Sequence, residues 1–141
     1  GVVAKALGAS QVLFVDASSA AIELSTRNAA LNGMLGGGDI HFHCGFASGT
    51  LLQAVGMEAF DVVIAGDVLY PPADGVQASM SSGSLLRLLS AWLAPRGAAL
   101  VALQRRTGDP VQLQEVCAGA FRTKCVDFSS LSAGLALWEL R

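Results

Sequence analysis

Short apolar runs alternate with segments of helical periodicity along most of this chain. Residues 12–15 and 60–65 each form a nearly unbroken run of β-favouring side chains. Between them, residues 21–31 repeat apolar side chains at helical spacing and end at the stop signal Asn32-Gly33. Parallel strands need crossover connections, and helices supply them. The alternation therefore predicts an α/β fold with a mostly parallel sheet.

The helical segment at residues 21–31 shows how faces are assigned from the pattern. Ala21, Leu24 and Leu31 fall on one side of a helix, and Asn28 lies on the same stripe. We therefore expect this stripe to face the core. The run at 60–65 is apolar almost without interruption, so we expect it to be a buried strand.

The last two predicted strands depart from the alternation. The segments FRTKCVDF (121–128) and GLALWELR (134–141) are joined by only five residues, SSLSA. A connection this short cannot cross over between parallel strands, so these strands are predicted to form an antiparallel hairpin. Further helices and strands are predicted at 1–7, 39–43, 85–93, 97–106 and 109–118.

The composition fits one globular domain. The chain has 141 residues, of which 52% are hydrophobic, and a net charge of −2. Only 14% of residues are charged and none form a basic stripe, so no nucleic-acid partner is expected. The apolar runs are far shorter than the roughly 20 residues of a membrane span. We therefore expect a soluble protein without a membrane partner.

The ends and the cysteines bear on the compartment. The chain begins at Gly1 without a signal sequence and in helical pattern, which resembles a piece cut inside a domain. Its three cysteines lack metal or disulfide spacing. A reducing compartment is therefore expected, the cytoplasm first and the nucleus as an alternative.

Polar side chains follow the predicted strands, where ligands bind in open α/β sheets. Asp16 follows a strand and precedes a helix that Ser18 could cap. From this position a carboxylate can accept hydrogen bonds from ribose hydroxyls, or it can simply be stabilised by the helix dipole. Phe46 could pack on an adenine ring or belong to the core. Asp67 and Tyr70 offer a hydrogen-bond acceptor and a phenol just after a strand.

Two other patterns point away from specific chemistry. His41 and His43 lie one strand period apart, but no third ligand accompanies them, so a solvent-facing pair and no metal are expected. The sequence contains no nucleophile elbow or pair of acid/base carboxylates. Hydrolysis therefore has no support.

Three segments in order resemble the seven-β-strand S-adenosylmethionine-dependent methyltransferases: LGASQVLFVDAS, ELSTRNAALNG and FDVVIAGDVLYPP. They are similar in particular to methyltransferase family 16, the protein-lysine methyltransferases of the methyltransferase-like 21 group, through DVLY and NAALN. The resemblance spans nearly the whole chain and includes the final hairpin, which separates this fold from nicotinamide dehydrogenases. It implies a Rossmann-like class I sheet and a single, partial methyltransferase domain over residues 1–141.

The resemblance also implies roles for particular residues. Asp16 would bind the ribose of S-adenosylmethionine, and Phe46 stands where the family usually has a tryptophan beside the adenine. Gly66 matches a small residue that lines the cofactor. Asp67 and Tyr70 match the D-x-x-Y motif at the target-lysine channel and would be the catalytic pair. The implied substrate is a lysine-bearing protein.

The chain departs from the family pattern in two places. The first strand and the glycine-rich loop that cradles the cofactor are missing, and Gly1 matches a glycine just beyond that loop. The segment HCGFASG (43–49) replaces a more acidic one that carries tryptophan. The isolated chain is therefore expected to bind cofactor poorly. The alternatives are a cofactor-free scaffold, a small-molecule methyltransferase and a nicotinamide-dependent dehydrogenase.

Overall fold

The computed structural model describes residues 1–69, 81–104, 117–126 and 135–140. The chain divides into two compact units, Gly1–Ser48 and Gly49–Arg141. The described helices are α1 (Val2–Ala6), α2 (Ser19–Leu31), α3 (Leu51–Ala54) and α4 (Ser82–Trp92). The described strands are β1 (Val12–Asp16), β2 (Ile40–Cys44), β3 (Phe60–Gly66), β4 (Leu93–Gln104), β5 (Thr123–Val126) and β6 (Leu135–Leu140). The predicted alternation is confirmed, while most of the helix predicted at 109–118 lies outside the described residues.

The first unit contains a parallel pair of strands. β1 and β2 run in register from Val12 opposite Ile40 to Asp16 opposite Cys44. The rings of Phe14 and Phe42 stack with their centroids 5.0 Å apart. Because the register has no shift, the carboxyl ends of the two strands lie side by side.

The buried face of α2 differs from the predicted one. Leu24 and Leu31 are 58% and 75% exposed, and Asn28 is also exposed, whereas Ala29 is completely buried. Helix α2 carries apolar side chains on more than one side, so periodicity alone did not select its contact face. The small side chain of Ala29 allows the helix to approach its neighbours closely. On the same side, the hydroxyl of Thr26 donates to the Ile22 carbonyl at 2.9 Å, which satisfies a half-buried polar group.

An ion pair ties α1 to the start of β2. The Lys5 ammonium donates to a carboxylate oxygen of Asp39 and also to the carbonyls of Ala9 at 2.9 Å and Ser10 at 3.1 Å. The hydrogen bond from Lys5 stabilises the ionised carboxylate and lowers the pKa of Asp39 from its ordinary value.

The second unit contains a mixed sheet with the strand order β3-β4-β6-β5. β3 and β4 are parallel, and β6 is antiparallel to both of its neighbours. The predicted hairpin of β5 and β6 is thereby confirmed. Helix α4 contacts β3 and β4 and buries Leu85, Leu88, Leu89 and Trp92. Alternate side chains of β4 complete this core, namely Ala99, Val101 and Leu103.

β4 begins directly after α4, earlier than predicted, and passes through Pro95 and Gly97. A Cβ atom at Gly97 would lie 2.9 Å from the carbonyl oxygen of Phe60, so the close approach of β3 requires glycine there. Gly97, where the sequence predicted this strand to begin, therefore has a packing role inside it.

The prediction that β3 is fully buried is wrong. Val62 and Ile64 are 54% and 62% exposed, whereas Ala65 is buried. Within the described part of the chain, β3 pairs only with β4. No other described strand pairs with its second edge, which is called the open edge below, and the face that carries Val62 and Ile64 is exposed.

Candidate functional site

Asp16 is the last residue of β1, and one oxygen of its carboxylate accepts a hydrogen bond. The Ser18 amide donates to Asp16 Oδ1 at 2.8 Å, and the Gly45 amide donates to the Asp16 carbonyl at 2.9 Å. The side chain is exposed. No other described group donates a hydrogen bond to this carboxylate, so its second oxygen can accept one from a ligand. The same contact with Ser18 also agrees with the alternative, in which the Asp16 carboxylate is stabilised by the dipole at the start of α2.

Phe46 lies at the same end of the two-stranded sheet as Asp16. It follows by two residues Cys44, which is the register partner of Asp16. Its side chain is 64% exposed, so the alternative that Phe46 belongs to the core is wrong. A carboxylate and an accessible ring at neighbouring strand ends suit the hydroxyls and the base of a nucleoside.

The histidines of β2 are less exposed than predicted. His41 and His43 are both half-buried, and His41 Nε2 is buried without a hydrogen-bond partner among the described residues. The expectation of a solvent-facing pair is therefore wrong. The described residues contain no group of three or more side chains that could hold a metal ion.

Gly66 and Asp67 lie at the end of β3 in the second unit. The Asp67 amide donates to the Ala102 carbonyl of β4 at 2.7 Å, and Asp67 has a φ of +50°. This left-handed conformation was not foreseen; asparagine, aspartate and glycine are the residues that tolerate it best. A Cβ atom at Gly66 would meet no described atom within 4 Å. Tyr70, the other predicted catalytic residue, lies outside the described residues.

The fold of this chain is similar to that of several solved structures. No family model and no curated protein matches the chain. The ribosomal protein L11 methylase of Lactobacillus delbrueckii subsp. bulgaricus is similar, with a TM-score of 0.67, 21% identity and coverage of 99% of this chain and 62% of the other. Fibrillarin of Aeropyrum pernix, with natively bound S-adenosyl-L-methionine, has a TM-score of 0.65, 16% identity and coverage of 93% and 55%. A SAM-dependent methyltransferase of Agrobacterium tumefaciens has a TM-score of 0.67, 17% identity and coverage of 99% and 50%.

The fold of this chain is similar to that of these three proteins. Because all three identities are below 25%, the likeness establishes the fold and leaves the substrate open. The chain spans 50 to 62% of the length of these three proteins. None of the described helices is long and apolar enough to cross a membrane.

Proposed function

We propose that this chain is part of an S-adenosylmethionine-dependent methyltransferase that modifies a lysine side chain of a protein. The observation that carries the proposal is that the Asp16 carboxylate and the exposed Phe46 ring lie at adjoining strand ends of a fold similar to that of methyltransferases. The exposed Phe46 ring has no evident role in packing, and the Asp16 carboxylate keeps one oxygen available beyond its contact with the Ser18 amide. Both suit the nucleoside end of the cofactor.

In the first unit, the chain would hold the nucleoside. The Asp16 carboxylate would accept hydrogen bonds from the ribose hydroxyls through the oxygen that the Ser18 amide leaves open. The Phe46 ring would stack on the adenine, a contact that is typically worth about 1 to 3 kcal/mol when a ring is replaced by alanine.

In the second unit, the chain would orient the acceptor. The chemistry that S-adenosylmethionine supplies when bound is an electrophilic sulfonium methyl group, which a neutral amine nitrogen can accept. Asp67 and Tyr70 would hold that nitrogen, Asp67 with a carboxylate that accepts a hydrogen bond and Tyr70 with a phenol. Gly66 would leave room for the nitrogen beside Asp67. Such positioning accounts for much of the rate enhancement when no strong base is required.

A protein substrate agrees with the composition and with one relative. The net charge of −2 and the low content of charged residues do not favour a nucleic-acid backbone as partner. The L11 methylase in the comparison acts, by its name, on a ribosomal protein. The lysine itself rests on the resemblance of the DVLY and NAALN segments to family 16.

We also propose that residues 1–141 are one partial domain. The open edge of β3, with Val62 and Ile64 exposed, supports the expectation that a further strand belongs to the sheet. Near-continuous apolar strands such as β3 are typical of sheet interiors, where both edges are paired and both faces are covered. Tight cofactor binding would then require that strand and its glycine-rich loop.

The proposal can be tested on the full-length open reading frame that contains this sequence. The purified protein is incubated with cell extract and tritiated S-adenosylmethionine, and Asp67→Ala is run beside it. A discrete labelled protein band that the variant loses supports protein methylation. Label in RNA or in small molecules would contradict the proposed substrate class. If there is no label and no binding of S-adenosylhomocysteine, the protein is the cofactor-free scaffold instead.

A further inference from the structure

We infer that Ser18 is a positioning residue that fixes the Asp16 carboxylate for a nucleoside ligand. The inference rests on the proposed function, because it assigns to Ser18 a part in the same cofactor site. Ser18 itself need not touch the ligand. It would act through the carboxylate two residues before it.

Ser18 is held through both its amide and its hydroxyl. Its amide donates to Asp16 Oδ1 at 2.8 Å, and its hydroxyl oxygen accepts from the Ala21 amide at 3.3 Å as the N-cap of α2. Its backbone is extended, with φ −84° and ψ 118°, as N-caps usually are. The cap therefore fixes the direction in which the Ser18 amide points, and that amide fixes one oxygen of Asp16.

This arrangement matters because Asp16 is otherwise weakly constrained. The side chain is exposed, and the Ser18 amide is the only described donor to its carboxylate. If the contact with Ser18 were lost, the Asp16 side chain would be free to rotate. Binding of the two ribose hydroxyls would then have to order it. Such ordering is expected to weaken binding by roughly two- to tenfold.

The chain offers a matched control for the loss of a helix cap. Ser81 caps α4 in the same way, with its hydroxyl oxygen accepting from the Ser84 amide at 3.2 Å. Ser81→Ala therefore removes an equivalent cap from the other unit. Ser18→Thr keeps both the amide and a capping hydroxyl, and serves as the conservative variant.

The experiment is calorimetric titration of the full-length protein with S-adenosylhomocysteine. We expect Ser18→Ala to weaken binding by roughly two- to tenfold, Ser18→Thr to restore it, and Ser81→Ala to leave it unchanged. The decisive comparison repeats Ser18→Ala in an Asp16→Ala background. A residue that acts through Asp16 should cause no further loss there, because coupled residues are not additive.

Each other outcome overturns the inference. If Ser18→Ala leaves binding unchanged, or weakens it equally in the original protein and in the Asp16→Ala background, Ser18 is only the N-cap of α2. The proposed function would not be affected by either result. Equal weakening by Ser81→Ala would assign the effect to general destabilisation. If the unsubstituted protein does not bind S-adenosylhomocysteine, the proposed function fails and the inference fails with it.

Discussion

The left-handed backbone at Asp67 leads to a prediction that separates conformation from chemistry. Among the described residues, Asp67 is the single non-glycine residue with positive φ, at +50°. Its amide is fixed to the Ala102 carbonyl at 2.7 Å. Position 67 should therefore favour Gly, Asn and Asp over Ala, whatever the side chain does in catalysis.

The expected magnitude follows from the cost of placing a Cβ atom in this region. A left-handed conformation costs an ordinary L-residue about 1 to 2 kcal/mol. Glycine avoids this cost but loses about 0.4 to 1 kcal/mol through the greater freedom of its unfolded chain. Asp67→Ala should therefore unfold with a free energy roughly 0.5 to 1 kcal/mol below that of Asp67→Gly, which is about 2 to 4 °C in Tm for a chain of this size. Asp67→Asn should match the original residue.

The assay is thermal unfolding of the three variants beside methyl transfer from tritiated S-adenosylmethionine. If the carboxylate is required, Asn and Gly should both remain folded and lose activity. Asn and Gly are thus cleaner tests than Ala, whose loss of activity mixes both effects. Equal or greater stability of Ala relative to Gly would refute the left-handed conformation as the constraint at this position.

Three further predictions test other parts of the chain. Gly66→Ala should leave the free energy of unfolding unchanged or raise it by up to about 1 kcal/mol, since no described atom opposes a Cβ atom there, yet weaken calorimetric binding of S-adenosylhomocysteine. Phe46→Ala should weaken that binding by about 1 to 3 kcal/mol without changing Tm, while Phe46→Trp should preserve it; a fall in Tm would contradict the exposure of the ring. Because Lys5 lowers the folded-state pKa of Asp39, the carboxylate stabilises the fold above its unfolded-state pKa of 3.8, and this contribution is lost as the pH falls through the lower folded-state pKa. The stability difference between the original chain and Asp39→Asn should therefore shrink in denaturant titrations below about pH 4, and a constant difference would contradict the ion pair.

The sequence predicted the elements better than the way they pack. The strand ends were predicted to within one residue, at 15 and 65 against Asp16 and Gly66 in the structure, and the final hairpin was predicted too, because apolar runs and short connections leave few alternatives. The contact face of α2 could not, because Ala29 lies on a different side from Leu24 and Leu31, and only packing decides between these sides. The conformation of Asp67 depends on a hydrogen bond to β4, more than thirty positions away, which no local pattern encodes.

The ladder between β3 and β4 has a consequence for hydrogen exchange. In a parallel pair, successive residues direct their amides to opposite sides, and the Asp67 amide points to β4. The amides of Val63 and Ala65 therefore also face β4, while those of Val62, Ile64 and Gly66 face the open edge. Exchange along β3 should alternate between slow and fast in residues 1–141, and any longer form of the protein that slows Val62, Ile64 and Gly66 together has placed a strand beside them.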